Sequence, residues 1–253
     1  LRLYERYDPD MLKKLRGMFA LAIWNEFTNE LFLARDPYGI KPLYFVADGQ
    51  VFRAASQVKA LLAGRNIDTS PNPAGHAGFF LFGSLPEPHT LFKNIFAFPA
   101  GCWMRISKGV GREVFNYYDI SKKLIDSDRN LGPVDLRDSI MDSIRHHFVA
   151  DVPVGIFLSA GIDSAALVAL ATECQNSKIK TVTLGFEEFR GKANDEVLLA
   201  ETVARQYGTQ HHTAYISKAD FEAAYDDIMF NMDQPTIDGI NTYFVARTAK
   251  AQG

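Results

Sequence analysis

Phe157-Leu158-Ser159-Ala160-Gly161-Ile162-Asp163-Ser164-Ala165-Ala166-Leu167 reads as a buried strand that runs through small residues into a helix. Small residues let backbone N–H groups approach an anion closely. The helix N-terminus adds unpaired donors and a partial positive charge. Ser159 and Ser164 contribute hydroxyls. Asp163 would repel a phosphate directly, so its role beside one is that of a Mg²⁺ ligand, with the metal bridging it to phosphate oxygens. On spacing alone, a plain helix cap at Asp163 and an ordinary first-turn serine at Ser164 is an equal reading, because every doubly wound fold contains strand–turn–helix junctions of small residues. The stretch is neither a Walker loop, lacking Gly-Lys-Ser at the required spacing, nor a Gly-x-Gly-x-x-Gly turn.

The chain on either side of this loop falls into two halves. From Val134 onward strands and helices alternate: helix Val134 to Phe148, strand Val154 to Leu158, helix Asp163 to Cys174, strand Lys180 to Phe186, helix Glu196 to Tyr207, strand Gln210 to Ile216 and helix Lys218 to Met232. That alternation predicts a doubly wound parallel α/β domain over residues 134–253. Residues 1–115 read instead as an antiparallel-sheet α+β domain. An amphipathic helix over Leu1 to Leu15 is followed by strands Gly17 to Trp24 and Leu31 to Ala34, which flank a polar hairpin turn. Leu43 to Val46 and Val51 to Ala54 pair around Asp48-Gly49. A helix follows over Ser56 to Leu62, with Ser56 as its cap. A second helix is expected near Gly75 to Phe82, and a short strand near Cys102 to Ile106. Arg35-Asp36 reads as a buried ion pair that fixes a turn. Residues 116–133, with the charged run Asp126-Ser127-Asp128-Arg129-Asn130 and the closing Gly132-Pro133, read as the linker.

Charge and composition narrow the partners. The formal net charge is −3 and the pI about 6.1, so there is no basic field to attract a phosphate backbone and nucleic acid is not expected. Cys102 and Cys174 lack metal-ligand spacing and read as reduced, buried thiols, which fits a cytoplasmic location. No apolar run reaches the roughly 20 residues of a membrane span. Both ends lie in helix-like sequence, without an initiating methionine, and read as cuts within a longer polypeptide.

At the quoted loop the sequence resembles the Ser-Gly-Gly-x-Asp-Ser loop of the ATP pyrophosphatases, and with Asp151-Val152-Pro153-Val154-Gly155 before it, the glutamine-hydrolysing asparagine synthetase family in particular. Ala160 stands where that family has its first glycine. Gly191-Lys192-Ala193-Asn194-Asp195-Glu196 is similar to the family's Asp-Glu pair after the second strand, and Gly208-Thr209-Gln210-His211-His212 to its Gly-Thr-x-His-His segment. Met232-Asp233-Gln234-Pro235 resembles its Asp-Glu-Pro turn beside the substrate pocket, with Gln234 replacing glutamate. In the first half, Gly17-Met18-Phe19-Ala20 and the long run Arg35 to Tyr44 resemble the family's N-terminal-nucleophile glutaminase domain.

The resemblance implies ATP and Mg²⁺ as cofactors. Ser159, Gly161, Asp163 and Ser164 would hold pyrophosphate, Asp163 would hold the metal, and Phe157 and Leu184 would contact the base or ribose. Asp195, Glu196 and Asp233 are the substrate-pocket candidates, and one of His211 and His212 is expected to face inward as a structural residue. The implied reaction adenylates the side-chain carboxylate of aspartate and amidates it with ammonia from glutamine, giving asparagine, AMP and pyrophosphate. Its partners are small molecules: ATP, aspartate or another carboxylate, and glutamine; a homodimer is left open. None of the glutaminase nucleophile residues is present, since residue 1 is leucine, and the segment alone is expected to be inactive. Two alternatives stand beside this one: a sibling amidotransferase acting on another carboxylate, such as a cell-surface precursor, and a nucleotide-binding module without catalysis.

Overall fold

The computed structural model describes residues 1–47, 51–64, 66–107, 113–126, 133–175 and 178–253. The Asp48-Gly49 turn and most of the charged run expected as linker lie outside them. The chain divides into two units. Unit 1 is Leu1–Ser127 together with Asp233–Ile237, and unit 2 is Asp128–Met232 with Asp238–Gly253.

Unit 1 contains two antiparallel sheets. The first has the order β1 (Ala20–Asn25), β2 (Glu30–Arg35), β6 (Cys102–Ile106), β7 (Val114–Asn116); the second has β4 (Phe52–Ala55), β3 (Tyr44–Ala47), β5 (Ile95–Ala97). Strand β2 is central, and Phe32, Leu33 and Ala34 are fully buried because both of its faces are covered. Leu33 packs with Leu43, Phe98, Cys102 and Met104. Phe32 and Ala34, on the opposite face, pack with Met11 and Leu12. The Asn25 side chain accepts the N–H groups of Phe27 and Thr28, which closes the β1–β2 hairpin. The single N-terminal helix expected over Leu1 to Leu15 is instead α1 (Arg2–Tyr7) followed by a 3₁₀ segment, Asp8–Lys14, with Pro9 in its first turn.

Two further expectations are corrected in this unit. Helix α2 (Val58–Leu62) starts two residues after Ser56, with Gln57 at the N-cap position and no cap from that side chain. Arg35, the last residue of β2, and Asp36, which follows it, are both buried but do not pair with each other; each engages other groups. The Arg35 guanidinium donates to the carbonyls of Gly39, Lys41 and Phe98 and pairs with Glu87 at 2.8 Å. The Asp36 carboxylate accepts the N–H groups of Tyr38, Ile40 and Lys41. Burial alone would raise the Asp36 pKa, yet those N–H groups more than offset it and hold the carboxyl below its ordinary range. Both residues therefore fix the turn over residues 36–41, each through backbone groups. The remaining helices of this unit are α3 (Pro73–Phe82), capped by Asn72, and α4 (Ile120–Asp126).

Unit 2 is the parallel α/β half, with strand order β10 (Gln210–Ile216), β9 (Lys180–Phe186), β8 (Gly155–Phe157). Its helices are α5 (Pro133–His147), α6 (Ile162–Cys174), α7 (Val197–Gln206), α8 (Lys218–Asn231) and α9 (Gly239–Ala251). They cover both faces of the sheet. On one face Ile156 and Leu158 pack with Val168 of α6 and with Ala200, Val203 and Ala204 of α7. On the other, Leu184, Phe186 and Ile216 pack with Ala224 and Ile228 of α8 and Phe244 of α9. Gly185 belongs to the α7 face: a Cβ there would lie 2.8 Å from Val197 and 2.6 Å from the Tyr215 ring, so glycine permits this close approach. Among the described residues, no helix is long and apolar enough to cross a membrane.

Candidate active site

The loop of interest leaves the C-terminal end of β8, where ligands settle in open parallel sheets. Its entry is rigid. Leu158 is buried, its N–H bonds the carbonyl of Val182 at 2.8 Å, and its own carbonyl accepts the Thr183 hydroxyl at 2.6 Å. Its exit is anchored by Val168, fully buried two turns into α6. Between these anchors Ser159, Gly161, Ile162 and Asp163 are exposed.

Ser164 organises the turn. Its hydroxyl accepts the Ser159 N–H at 3.2 Å and reaches the carbonyls of Ser159 and Gly161, each at 3.1 Å. The Ser159 hydroxyl lies 2.9 Å from it and also accepts the Gly161 N–H at 3.2 Å. Gly161 is the N-cap of α6, with extended backbone angles. The N–H groups of Ile162, Asp163 and Ser164 therefore have no intrahelical partner, as at any helix start. Ile162 is 87% exposed.

Asp163 projects from the first turn of α6 and makes no hydrogen bond or ion pair among the described residues. Its carboxylate is thus available to a cation. No group of three or more His, Cys, Asp or Glu residues is assembled for a metal among the described residues. The lone Asp163 carboxylate is compatible with Mg²⁺, which is commonly bound through one or two carboxylates, water and substrate phosphates.

The remaining candidates are distributed around this loop and beyond it. Phe157 is registered opposite Val182, so Phe157, Val182 and Leu184 share one face of the sheet. Phe157 is 54% exposed, whereas Leu184 packs against the Ile216 and Phe244 core. Asp195 closes the loop before α7, accepting the N–H of Gly191 at 2.8 Å and that of Val197 at 3.1 Å. Glu196 is exposed at the N-cap position of α7. Asp233 belongs to unit 1, where its carboxylate accepts two backbone N–H groups. His211 is the inward-facing histidine. Thr181 and Thr213 hold its two ring nitrogens at 2.9 and 3.1 Å. Burial pushes its pKa below the ordinary 6.5; nearby Glu201 pulls it up and His212 pushes it further down. Sequence reasoning missed Thr181 and Thr183. They stand as inward polar residues on a buried strand, and a hydroxyl in such a place signals a buried polar partner, here the His211 ring for Thr181 and the Leu158 carbonyl for Thr183.

Residues 135–253 match the family model of asparagine synthase, and residues 1–119 that of the glutamine amidotransferase domain. Asparagine synthetase [glutamine-hydrolyzing] 1 of Bacillus subtilis is 34% identical over 252 residues, spanning 99% of this chain and 39% of that protein. Asparagine synthetase [glutamine-hydrolyzing] 3 of the same organism is 31% identical over 249 residues, spanning 93% of this chain and 40% of that protein. The chain thus covers about two fifths of the length of these curated relatives.

Proposed function

Because the chain belongs to the glutamine-hydrolysing asparagine synthetase family, with a glutamine amidotransferase domain followed by an asparagine synthase domain, we propose that it serves ATP-dependent formation of asparagine from aspartate with glutamine as nitrogen donor. The observation that carries this reading is the Ser159–Ser164 turn, which stands at the C-terminal end of β8 and opens α6 with unpaired N–H groups.

In this reading the N–H groups of Ile162, Asp163 and Ser164 receive the pyrophosphate portion of ATP, where the helix dipole also favours negative charge. They are fixed before the reaction, so charge developing on the departing pyrophosphate meets donors that need no reorganisation. The Ser159 hydroxyl joins them by turning its proton from Ser164 toward a phosphate oxygen. Asp163 would hold Mg²⁺, and the ion would supply screening of the phosphate charge. The aspartate carboxylate attacks the α-phosphorus. Attack joins the carboxylate oxygen to the α-phosphorus and breaks its bond to the bridging oxygen, so pyrophosphate leaves. Ammonia then attacks the acyl carbon of the adenylate, the acyl C–O bond to the phosphate breaks with AMP taking the bonding pair, and the nitrogen gives up one proton. Phe157 and Leu184 are proposed for the nucleoside, and Asp195 and Glu196 for the amino-acid substrate.

Thermal unfolding of the complete natural polypeptide with and without Mg-ATP tests the loop assignment. At about a hundredfold excess over Kd a ligand stabilises by about 2.7 kcal/mol. The native protein is expected to show such a gain and Asp163→Asn to lose most of it. Equal stabilisation of both proteins would contradict the assignment.

A further inference from the structure

Unit 1 is not completed by the first half of the sequence. Five residues that follow α8, Asp233–Ile237, lie within the stretch matched by the asparagine synthase family, yet they are part of unit 1. The turn is fastened there at three places. The Asp233 carboxylate accepts the N–H of Val58 at 2.7 Å and that of Lys59 at 2.9 Å. These are the first two residues of α2, which receives no cap from its own Gln57. The Gln234 side chain accepts the Leu91 N–H at 3.1 Å and donates to the Asp233 carbonyl at 2.7 Å. Ile237 donates its N–H to the Gly83 carbonyl at 2.9 Å. Gly83 is the left-handed C-cap of α3, with φ of 71°, and a Cβ there would stand 2.6 Å from the Ile237 side chain.

Each fastening satisfies a backbone group in the stretch from Val58 to Leu91. A five-residue helix has too few internal hydrogen bonds to persist alone, so capping its first N–H groups matters more than in a long helix. A carboxylate is also the favoured charge at that end. The end of α3 and the backbone at Leu91 are met in the same way.

We infer that Asp233–Ile237 is a strap on which the ordered state of the amidotransferase unit depends, and that Gln234 fastens it. A glutamate at position 234 could accept the Leu91 N–H but has no proton for the Asp233 carbonyl, and it would set a second carboxylate beside Asp233. Glutamine supplies both a donor and an acceptor. Gln234, which stands where the family has glutamate, thus matches the geometry of the strap. The inference stands whichever carboxylate is amidated.

Amide hydrogen–deuterium exchange on the complete natural polypeptide tests it, comparing the native protein with Asp233→Asn and Gln234→Glu. Asn keeps the size and one acceptor oxygen, so the fold is retained and the effect is graded. The expected result is roughly tenfold faster exchange over residues 58–62 in Asp233→Asn and around Leu91 in Gln234→Glu, with β9 and α6 unchanged. With Asp233→Ala, loss of protection throughout unit 1 while β9 and α6 stay protected would support the same dependence. Unchanged exchange over 58–62 and at Leu91 in both graded variants would overturn it.

Discussion

The hydroxyl oxygens of Ser159 and Ser164 stand 2.9 Å apart, and the turn between them is closed by their own hydrogen bonds. Ser164 is fully used. It accepts from the Ser159 backbone and hydroxyl and has one proton for the carbonyls of Ser159 and Gly161. Its role is to shape the turn, and the adaptable hydroxyl is that of Ser159.

Ser164→Ala should therefore weaken Mg-ATP binding about tenfold, by releasing the Ser159 and Gly161 backbone groups from their places. Because the loop is open to solvent, the loss of folding stability should stay below about 1 kcal/mol. Isothermal titration and chemical unfolding separate the two quantities. Equal losses in both would place Ser164 in the fold rather than in the loop's function.

Gly185→Ala tests the packing of α7 against the sheet. The added methyl would meet the Tyr215 ring at 2.6 Å and Val197 at 2.8 Å. Overpacking of this kind costs about 1–3 kcal/mol, read as a lowered denaturation midpoint of unit 2.

Arg35→Met removes a guanidinium that serves three carbonyls and Glu87. The methionine fills a similar volume but leaves the carbonyls of Gly39, Lys41 and Phe98 without that donor. A loss of about 3 kcal/mol is expected in unit 1. Glu87 is about half exposed and regains water, so Glu87→Gln should cost far less.

His211 contributes a pH dependence to unit 2 near neutrality. Burial lowers its folded pKa below the unfolded value of about 6.5. Above that pH both states are neutral and its contribution is intact. As pH falls below it, the unfolded state takes up the proton first, so stability declines until the folded pKa is passed. A denaturation midpoint that drops between pH 7.5 and 5 in the native protein, and drops less in His211→Asn, is the expected result.

Much of this was legible in the sequence because it is local. The apolar run into Ser159, the small residues and the helix start at Ile162 specify a strand–turn–helix by short-range preferences alone, and the alternation after Val134 fixes a parallel sheet. What was not legible is long-range. Asp233 caps a helix 175 residues earlier in the chain, so Ser56, the nearest residue of the right type, took its place in the sequence reading. Arg35 and Asp36 are neighbours of opposite charge, but they turn to different groups: Asp36 to backbone N–H groups, Arg35 to three carbonyls and to Glu87, and no local pattern reveals these partners. Strand β5, three residues between prolines, is held by pairing with β3 rather than by any pattern of its own.

Pyrophosphate release by the complete natural polypeptide, supplied with Mg-ATP and ammonia with and without aspartate, tests the central claim most directly. Release that depends on aspartate and is matched by asparagine formed is the predicted result. Release that is indifferent to aspartate, or no asparagine from it, would contradict the account.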